Sequence, residues 1–248
     1  MVKALVLPFL LFAVLIESAH GEEAFNWSTF DSLLQTHIKA GSYQGINANL
    51  VNYPALINDQ QFSAIGQALS RYNPTDLLTA DKLAFYINAY NYYAIKIVAD
   101  NWPVEGIKDI GGLLRPVWKK TVGKINGQTV TLNQIEHQIL RPIGEPRVHF
   151  AIVCSSMSCP DLRPEVFTAG KLDRQLDEQT RAFLMNPSKG SVIDDGELYL
   201  SEIFDWFEED FAASGGIYEF IARYRKELVG FDDFETLDYN WELNAQRN

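Results

Sequence analysis

The stretch "ADKLAFYINAYNYYAIKIVADNW", residues 80–102, gives the clearest secondary-structure signal in the chain. Leu83, Ile87 and Val98 recur at helical spacing, and Pro103 lies just beyond the last turn. This pattern predicts one long helix that ends before the proline. Because apolar and aromatic residues cover most of its circumference, we expect the helix to be central and buried.

The segments on both sides of this helix predict shorter elements. Glycine turns at Asn126–Gly127 and Asp195–Gly196 indicate two β-hairpins. "RVHFAIVC", residues 147–154, is rich in β-branched and aromatic residues and favours a buried strand. Thr131 is placed to begin a helix that buries Leu132, Ile135 and Ile139.

The sequence therefore predicts an α+β fold, helix-rich, with a small sheet. With 248 residues and 47% hydrophobic content, residues 22–248 suit a single domain. An arrangement like that of papain or the transglutaminases is one candidate for such a fold.

The N-terminus, "MVKALVLPFLLFAVLIESAHGEE", has the features of a cleaved secretory signal over residues 1–21. Lys3 gives the positive end, an apolar run follows, and Ala19 and Gly21 suit a cut before Glu22. No later stretch is long and apolar enough to span a bilayer. We expect a soluble mature protein that is secreted or periplasmic.

The charge balance disfavours one class of partner. The formal net charge is −11, and no stripe of Lys and Arg opposes it. Such a protein repels nucleic acid and anionic lipid surfaces. A small molecule or peptide remains the expected substrate or ligand, and the sequence does not fix the oligomeric state.

The two cysteines of the chain fall together in "RVHFAIVCSSMSCPDLRP", residues 147–164. In an oxidising compartment Cys154 and Cys159 favour a disulfide. A thiol nucleophile, a pair that cycles between thiol and disulfide, and a zinc site completed by His137 and His149 are the alternatives. The spacing is neither that of a standard zinc finger nor the C-x-x-C of thioredoxin-like enzymes.

A strand end opening into a Ser-rich loop would fix Cys154 and expose it. On strand alternation His149 and Cys154 point to opposite faces, which weakens a direct pair. His137, next to Glu136 on the preceding helix, is then the more natural partner for a cysteine.

Two other polar groups could carry chemistry. Asn88 and Asn91 share a face of the long helix, and buried amides need hydrogen-bond partners. They either bind loop backbone and fix the fold, or one of them orients a histidine or donates to an oxyanion.

An acidic patch surrounds Trp206 and contains Asp205, Glu208, Glu209 and Asp210. It fits a solvated helix face, and a site for a cation or a basic ligand is the alternative.

Five blocks of the chain together resemble the domain-of-unknown-function family 547, in its secreted branch. The blocks are "LAFYINAYNYYAIK", "TLNQIEHQILR", "RVHFAIVCSSMSCPDLRPE", "LSEIFDWFEEDF" and "LDYNWELN", and the resemblance extends from the first mature helix to Asn244. The family's motifs fall here on Asn88 and Asn91, on Glu136, His137 and Arg141, and on His149, Cys154, Ser156, Cys159 and Pro160. The resemblance does not imply a biochemical activity, but it implies that these blocks form one three-dimensional site.

A cluster of Cys, His, Glu and Asn side chains is typical of the active site of a cysteine-dependent hydrolase or acyl transferase. In that hypothesis Cys154 is the nucleophile, His137 or His149 the base, and Glu136 or Asn88 the orienting group. Amides of the loop 155–158 would hold the oxyanion. The accompanying binding residues are Asn91, Tyr90, Arg141, Ser156 and Cys159.

Two hypotheses from other classes stand beside it. One is a non-enzymatic periplasmic binding or envelope-assembly module, with a structural disulfide at the rim of a pocket lined by Tyr90, Tyr93, Trp118 and Trp206. The other is a thiol–disulfide exchange protein. None of the three needs a cofactor or a metal.

Overall fold

The computed structural model describes residues 24–112 and 115–247. The predicted signal segment, 1–21, lies outside the described residues. Within those residues, no helix combines the length and the hydropathy needed to cross a membrane.

The long central helix is confirmed as α4, named here with the helices that precede it. It is buried along almost its whole length, and its aromatic side chains pack against the N-terminal helices. The helical elements of this half are α1 (Ser28–His37), α2 (Tyr53–Ile57), α3 (Gln60–Arg71) and α4 (Thr79–Asp100).

Short antiparallel hairpins flank this helical layer. β1 (Ile38–Tyr43) pairs with β2 (Ile46–Val51) from Ile38 opposite Val51 to Tyr43 opposite Ile46. β3 (Thr121–Ile125) pairs with β4 (Gln128–Thr131). The predicted turn at Asn126–Gly127 is confirmed, since both residues adopt positive φ, 49° and 73°.

Thr131 caps the next helix as predicted, because its hydroxyl accepts the N–H of Gln134 at 3.1 Å. The regular helix is only one turn long, however: α5 (Leu132–Gln134) continues directly as a π-helix over Ile135–Leu140. The wider turn buries Leu140 completely and leaves Ile139 partly exposed. The predicted buried side is confirmed for Leu132 and Ile135, and Ile139 packs against the core while partly exposed. Leu140 is buried as well because a π-helix repeats at i+5 rather than i+4.

The prediction of a strand over residues 147–154 was wrong. Pro146–Phe150 form a 3₁₀ helix, and the chain then runs irregularly to Cys154 while staying buried. In the part of the chain that the structure describes, no strand pairs with residues 147–154, and the side chain of Asn91 bonds to their backbone instead. Its amide donates to the carbonyl of Ala151 and accepts the N–H of Val153, each at 2.9 Å.

The last third of the chain builds a second core around phenylalanine side chains. A three-stranded sheet in the order β5-β6-β7 and three helices enclose it. The predicted hairpin at Asp195–Gly196 is confirmed between β5 and β6. The elements are α6 (Leu172–Leu184), β5 (Ser191–Asp194), β6 (Glu197–Ser201), α7 (Glu202–Trp206), α8 (Ile217–Ala222) and β7 (Glu235–Leu237).

The C-terminal segment 239–247 packs against both cores, against the first through Leu243 and Ala245 and against the second through Tyr239. Its backbone bonds to the cysteine loop, to the loop after α4 through Glu105, and to β2 through Val51. The predicted fold class, helix-rich α+β with small sheets, is confirmed.

Candidate functional site

A pocket of about 390 Å³ opens where the π-helix, the cysteine loop, α7 and the C-terminal segment meet. Its volume lies within the range of small-molecule sites, and its surface is mostly apolar. Its lining residues are Tyr90, Pro116, Trp118, Lys119, Asn133, Glu136, His137, His149, Ile152, Cys154, Cys159, Pro160, Ile203, Trp206, Phe207, Tyr239 and Trp241.

A disulfide joins Cys154 to Cys159 on the wall of this pocket, with their Cα atoms 6.1 Å apart. The two sulfurs have different surroundings. Cys159 is 4% exposed, and its Sγ accepts the backbone N–H of Cys154 at 2.8 Å. Cys154 is only partly buried, and its Sγ lies 3.1 Å from the hydroxyl of Ser156 and 3.4 Å from that of Tyr239.

The loop that follows Cys154 is buried. The C-terminal segment covers it, and two loop amides are used in that contact. The N–H of Met157 donates to Glu242 at 2.8 Å and the N–H of Ser158 donates to Asn240 at 3.2 Å. These two amides are therefore not free to hold an oxyanion.

The π-helix places Glu136 in a buried environment and His137 in an exposed one. Glu136 points inward, is 8% exposed, and accepts a hydrogen bond from the hydroxyl of Tyr90 at 3.2 Å. Burial raises the pKa of Glu136 to about 7, although the hydrogen bond from Tyr90 and the charge of Arg141 oppose the shift. His137 lies at the exposed rim. π-helical turns occur often at functional sites.

Arg141 and Asp210 form the centre of a polar cluster that also holds His137, His149 and Glu136. Arg141 donates to both carboxylate oxygens of Asp210, from Nε at 2.7 Å and from Nη2 at 2.9 Å. His149 meets the same carboxylate through Nε2 at 2.7 Å and stacks on Phe207, with ring centroids 4.1 Å apart. Nη1 of Arg141 reaches Nδ1 of His137 at 2.8 Å.

The charges of this cluster follow from these contacts. Burial raises the pKa of Asp210, but the hydrogen bonds from Arg141 and His149 outweigh it and hold that pKa below its usual range. Burial lowers the pKa of His149 to about 4 against the effect of Asp210. Burial and the charge of Arg141 lower the pKa of His137. Both imidazoles are therefore neutral at pH 7.

Neutral imidazoles in these contacts have defined tautomers. A guanidinium only donates, so Nδ1 of His137 is an acceptor and the ring proton sits on Nε2. A carboxylate only accepts, so Nε2 of His149 is protonated and Nδ1 keeps its lone pair. The pocket thus contains one imidazole donor and one imidazole acceptor, and neither of these two nitrogens has a partner in the described part of the chain.

The residues predicted from sequence divide into two groups. Most of them meet at the pocket: Glu136, His137, His149, Cys154, Cys159 and Tyr90 line it. Arg141 contacts the lining residue His137, and Ser156 contacts Cys154. Neither imidazole is within hydrogen-bonding distance of a cysteine sulfur in the residues that the structure describes. The preference for His137 over His149 as the partner of Cys154 thus has no contact to support it.

The two asparagines do not line the pocket. The amide of Asn88 accepts the N–H of Phe167 at 2.9 Å and donates to its carbonyl at 2.8 Å. Asn91 holds Ala151 and Val153 in the same way. Both therefore bind loop backbone and fix the fold, and Asn88 contacts neither His137 nor His149. Of the aromatic residues proposed for the pocket, Tyr93 also lies elsewhere, with its hydroxyl on the carbonyl of Lys124.

Sequence reasoning placed Phe207, Asp210, Tyr239 and Trp241 only in the last two blocks of the resemblance and gave none of them a role as a site residue of its own. Asp210 was assigned to a solvated face because three other acids surround it, and it instead bonds Arg141 and His149. Trp118, Trp206, Tyr239 and Trp241 form what we call the aromatic wall. Trp206 lies 4.9 Å from Tyr239 and 5.5 Å from Trp241 between ring centroids, and 42% of its surface is exposed.

Residues 24–112 and 115–247 contain no arrangement of side chains that could bind a metal ion. No group of three or more His, Cys, Asp and Glu side chains converges there on one point. The sulfur atoms that a zinc site would need are bonded to each other.

Comparison with known proteins gives one match. Residues 74–184 match a family model described as "Protein of unknown function, DUF547". These residues contain the first three of the five blocks that carry the resemblance, and the last two lie beyond the match. No curated protein and no solved structure matches the chain.

Proposed function

We propose from the site itself that the protein carries out thiol–disulfide exchange through Cys154 and Cys159, because the family model that residues 74–184 match assigns no activity. The observation that carries the proposal is the disulfide on the wall of an open pocket, with two sulfurs in unequal surroundings. A disulfide with a purely structural role does not need a pocket beside it.

Because Cys154 is more exposed than Cys159, we assign Cys154 as the sulfur that is attacked and Cys159 as the sulfur that leaves. A substrate thiolate attacks Cys154 Sγ, the more exposed sulfur, and forms a mixed disulfide with it. The S–S bond of the pair breaks, and its electron pair leaves on Cys159 Sγ. The backbone N–H of Cys154 already points at that atom and stabilises the thiolate that forms there, which then takes a proton from solvent.

A second substrate thiolate completes the exchange. It attacks the substrate sulfur of the mixed disulfide, so that the substrate leaves as its own disulfide and Cys154 leaves as a thiolate. The hydroxyls of Tyr239 and Ser156 are in place to donate to this thiolate. In sum, two substrate thiols are oxidised and the protein disulfide is reduced to two thiols. The reverse reaction reduces a substrate disulfide.

Trapping the mixed disulfide tests the order of attack. We expect Cys159→Ser protein, treated with oxidised glutathione, to hold one glutathione on Cys154 by intact-mass measurement. The matched Cys154→Ser protein, whose remaining thiol is buried, should stay unmodified over the same time. Equal labelling of both variants would contradict the assigned roles.

A redox titration of the wild-type protein tests the activity as a whole. We expect reduction in the folded state at a potential above about −300 mV, where exchange proteins lie. A bond that is reduced only after unfolding would identify a structural disulfide and favour the binding-module hypothesis. The polar cluster and the aromatic wall would then serve ligand binding alone.

A cysteine-dependent hydrolase or acyl transferase is the second candidate, and the Asp210–His149 pair favours it. The carboxylate fixes the imidazole tautomer, which leaves Nδ1 as a base in the pocket that Cys154 borders. This chemistry requires the reduced form. We expect a burst of one equivalent of p-nitrophenol from p-nitrophenyl acetate with reduced protein, absent in Cys154→Ser, if this candidate holds.

We also propose that the protein is exported after cleavage before Glu22. The support is the signal-like sequence of residues 1–21 together with a disulfide that an oxidising compartment would maintain. The mass of the protein recovered from its native compartment checks the cleavage site.

A further inference from the structure

We propose that the pocket binds an uncharged ring-bearing molecule, such as an aromatic carboxamide, whose ring packs on the aromatic wall and whose head group both accepts and donates a hydrogen bond. This names the ligand class of the pocket used in the proposed exchange, but it rests on features of the pocket other than the cysteines.

The ring end of the ligand follows from the aromatic wall. Trp206, Tyr239 and Trp241 lie with ring centroids 4.3 to 5.5 Å apart, and Trp118 stands edge-on to Trp241 at 5.7 Å. Trp206 keeps 42% of its surface exposed at the pocket edge. Large aromatic faces that remain exposed in a pocket are suited to bind another ring by packing and by burial of apolar area.

The polar end of the ligand follows from the two imidazoles. His137 and His149 both line the pocket and both approach the ring of Phe207, with centroids 6.3 and 4.1 Å away. Arg141 occupies Nδ1 of His137, and Asp210 occupies Nε2 of His149. The nitrogens left for a ligand are one N–H donor and one lone-pair acceptor.

Such a pair selects a head group with both hydrogen-bonding roles. A carboxamide presents its oxygen to Nε2–H of His137 and its NH₂ group to Nδ1 of His149. A carboxylate has no hydrogen to donate, so it would set a negative oxygen against the lone pair of His149. Two lysines lie at this pocket: Lys119 is one of its lining residues, and the Lys108 ammonium lies 3.5 Å from the centroid of the Trp241 ring. Both side chains are exposed, so their charges are screened by solvent and salt.

Benzamide and benzoate are the probes, because they share a ring and differ only in the head group. Three tryptophans line the pocket, so binding is measured by quenching of tryptophan fluorescence and confirmed by calorimetry. With the oxidised wild-type protein at pH 7 we expect benzamide to bind at least about tenfold more tightly than benzoate, the effect of one hydrogen bond lost and one repulsion gained.

Two variants assign the two ends of the ligand. Trp206→Ala should weaken both probes by about the same factor, roughly fivefold, since it removes only ring packing. His137→Ala should weaken benzamide and benzoate alike through the lost donor, while Met185→Ala, at an exposed position that does not line the pocket, should change neither. Equal affinity for the two probes, or no binding of benzamide at millimolar concentration, would overturn the proposal.

The two proposals fail separately. Binding is measured with the disulfide closed, and exchange is measured by the redox titration without either probe. Binding without exchange would contradict the proposed function alone, and exchange without the preference for benzamide would contradict the ligand class alone.

Discussion

Arg141 and Asp210 lie 69 residues apart in the chain and meet as a two-pronged ion pair, with N–O distances of 2.7 and 2.9 Å. The pair joins the π-helix region to the segment that follows α7. It holds both histidines of the pocket, since Arg141 contacts His137 and Asp210 contacts His149. Its geometry therefore decides which imidazole nitrogens face the ligand.

Arg141→Ala should lower the free energy of unfolding by about 2 kcal/mol, because both members of the pair are only about a quarter exposed. Chemical denaturation measures this loss. Arg141→Lys is the matched control: it retains the charge but loses the two-pronged contact, so we expect a smaller loss of stability. A full return of stability in Arg141→Lys would show that charge alone matters at this position.

Glu136 and His149 should make opposite contributions to stability as pH changes. The pKa of Glu136 is raised from 4.5 to about 7, so its contribution is present below pH 4.5 and is lost as pH rises through 7. The pKa of His149 is lowered from 6.5 to about 4, so its contribution is present above pH 6.5 and is lost as pH falls through 4. Each is on the order of 3 kcal/mol.

Single variants should separate these two effects in denaturation series between pH 4 and 8. Glu136→Gln should remove the loss of stability that Glu136 causes as pH rises from about 4.5 to 7. His149→Gln should remove the loss that His149 causes as pH falls from 6.5 to about 4. An unchanged pH profile in Glu136→Gln would contradict a buried, protonated Glu136.

Asn91→Ala should destabilise the protein by about 3 kcal/mol, because it leaves the carbonyl of Ala151 and the N–H of Val153 without partners in the core. Thermal unfolding measures the loss. Gln138→Ala, at an exposed position of the π-helix, is the control and should change stability by less than about 0.5 kcal/mol. If the two variants unfold alike, the backbone of residues 151–153 does not depend on Asn91.

Local signals explain which parts of the fold could be predicted. The length and apolar character of α4 and the turn residues Asn126–Gly127 and Asp195–Gly196 act within a few residues of each other, and each was read correctly from sequence. The irregular path of residues 147–154 could not be read in this way. Its hydrogen bonds go to a side chain about 60 residues earlier in the chain, although its composition suits a strand.

The site was predictable to the extent that its residues are chemically distinctive. Glu136, His137 and His149 were named because carboxylates and imidazoles near cysteines suggest chemistry. Asp210 was named only as part of the acidic patch, because one acid among four in a helix-like stretch gives no local sign that it pairs with a distant arginine. The π-helix was missed because i+4 and i+5 burial differ by a single position and both Ile139 and Leu140 are apolar.

Tyr239→Phe should slow attack by Cys154 in the reduced protein. The Tyr239 hydroxyl lies 3.4 Å from Cys154 Sγ, where it can donate a hydrogen bond to the thiolate. A hydrogen bond to a charged group is worth about 1.5 kcal/mol. Its loss should raise the pKa of the Cys154 thiol by about one unit. The pH dependence of iodoacetamide alkylation, followed by mass measurement on Cys159→Ser protein, reports that pKa directly.

The control is Tyr199→Phe, which removes a hydroxyl from the solvent-exposed contact with Glu197 and should leave the alkylation profile unchanged. Because Tyr239 comes from the C-terminal segment, an unshifted profile in Tyr239→Phe would mean that this segment covers the cysteine loop without tuning its chemistry.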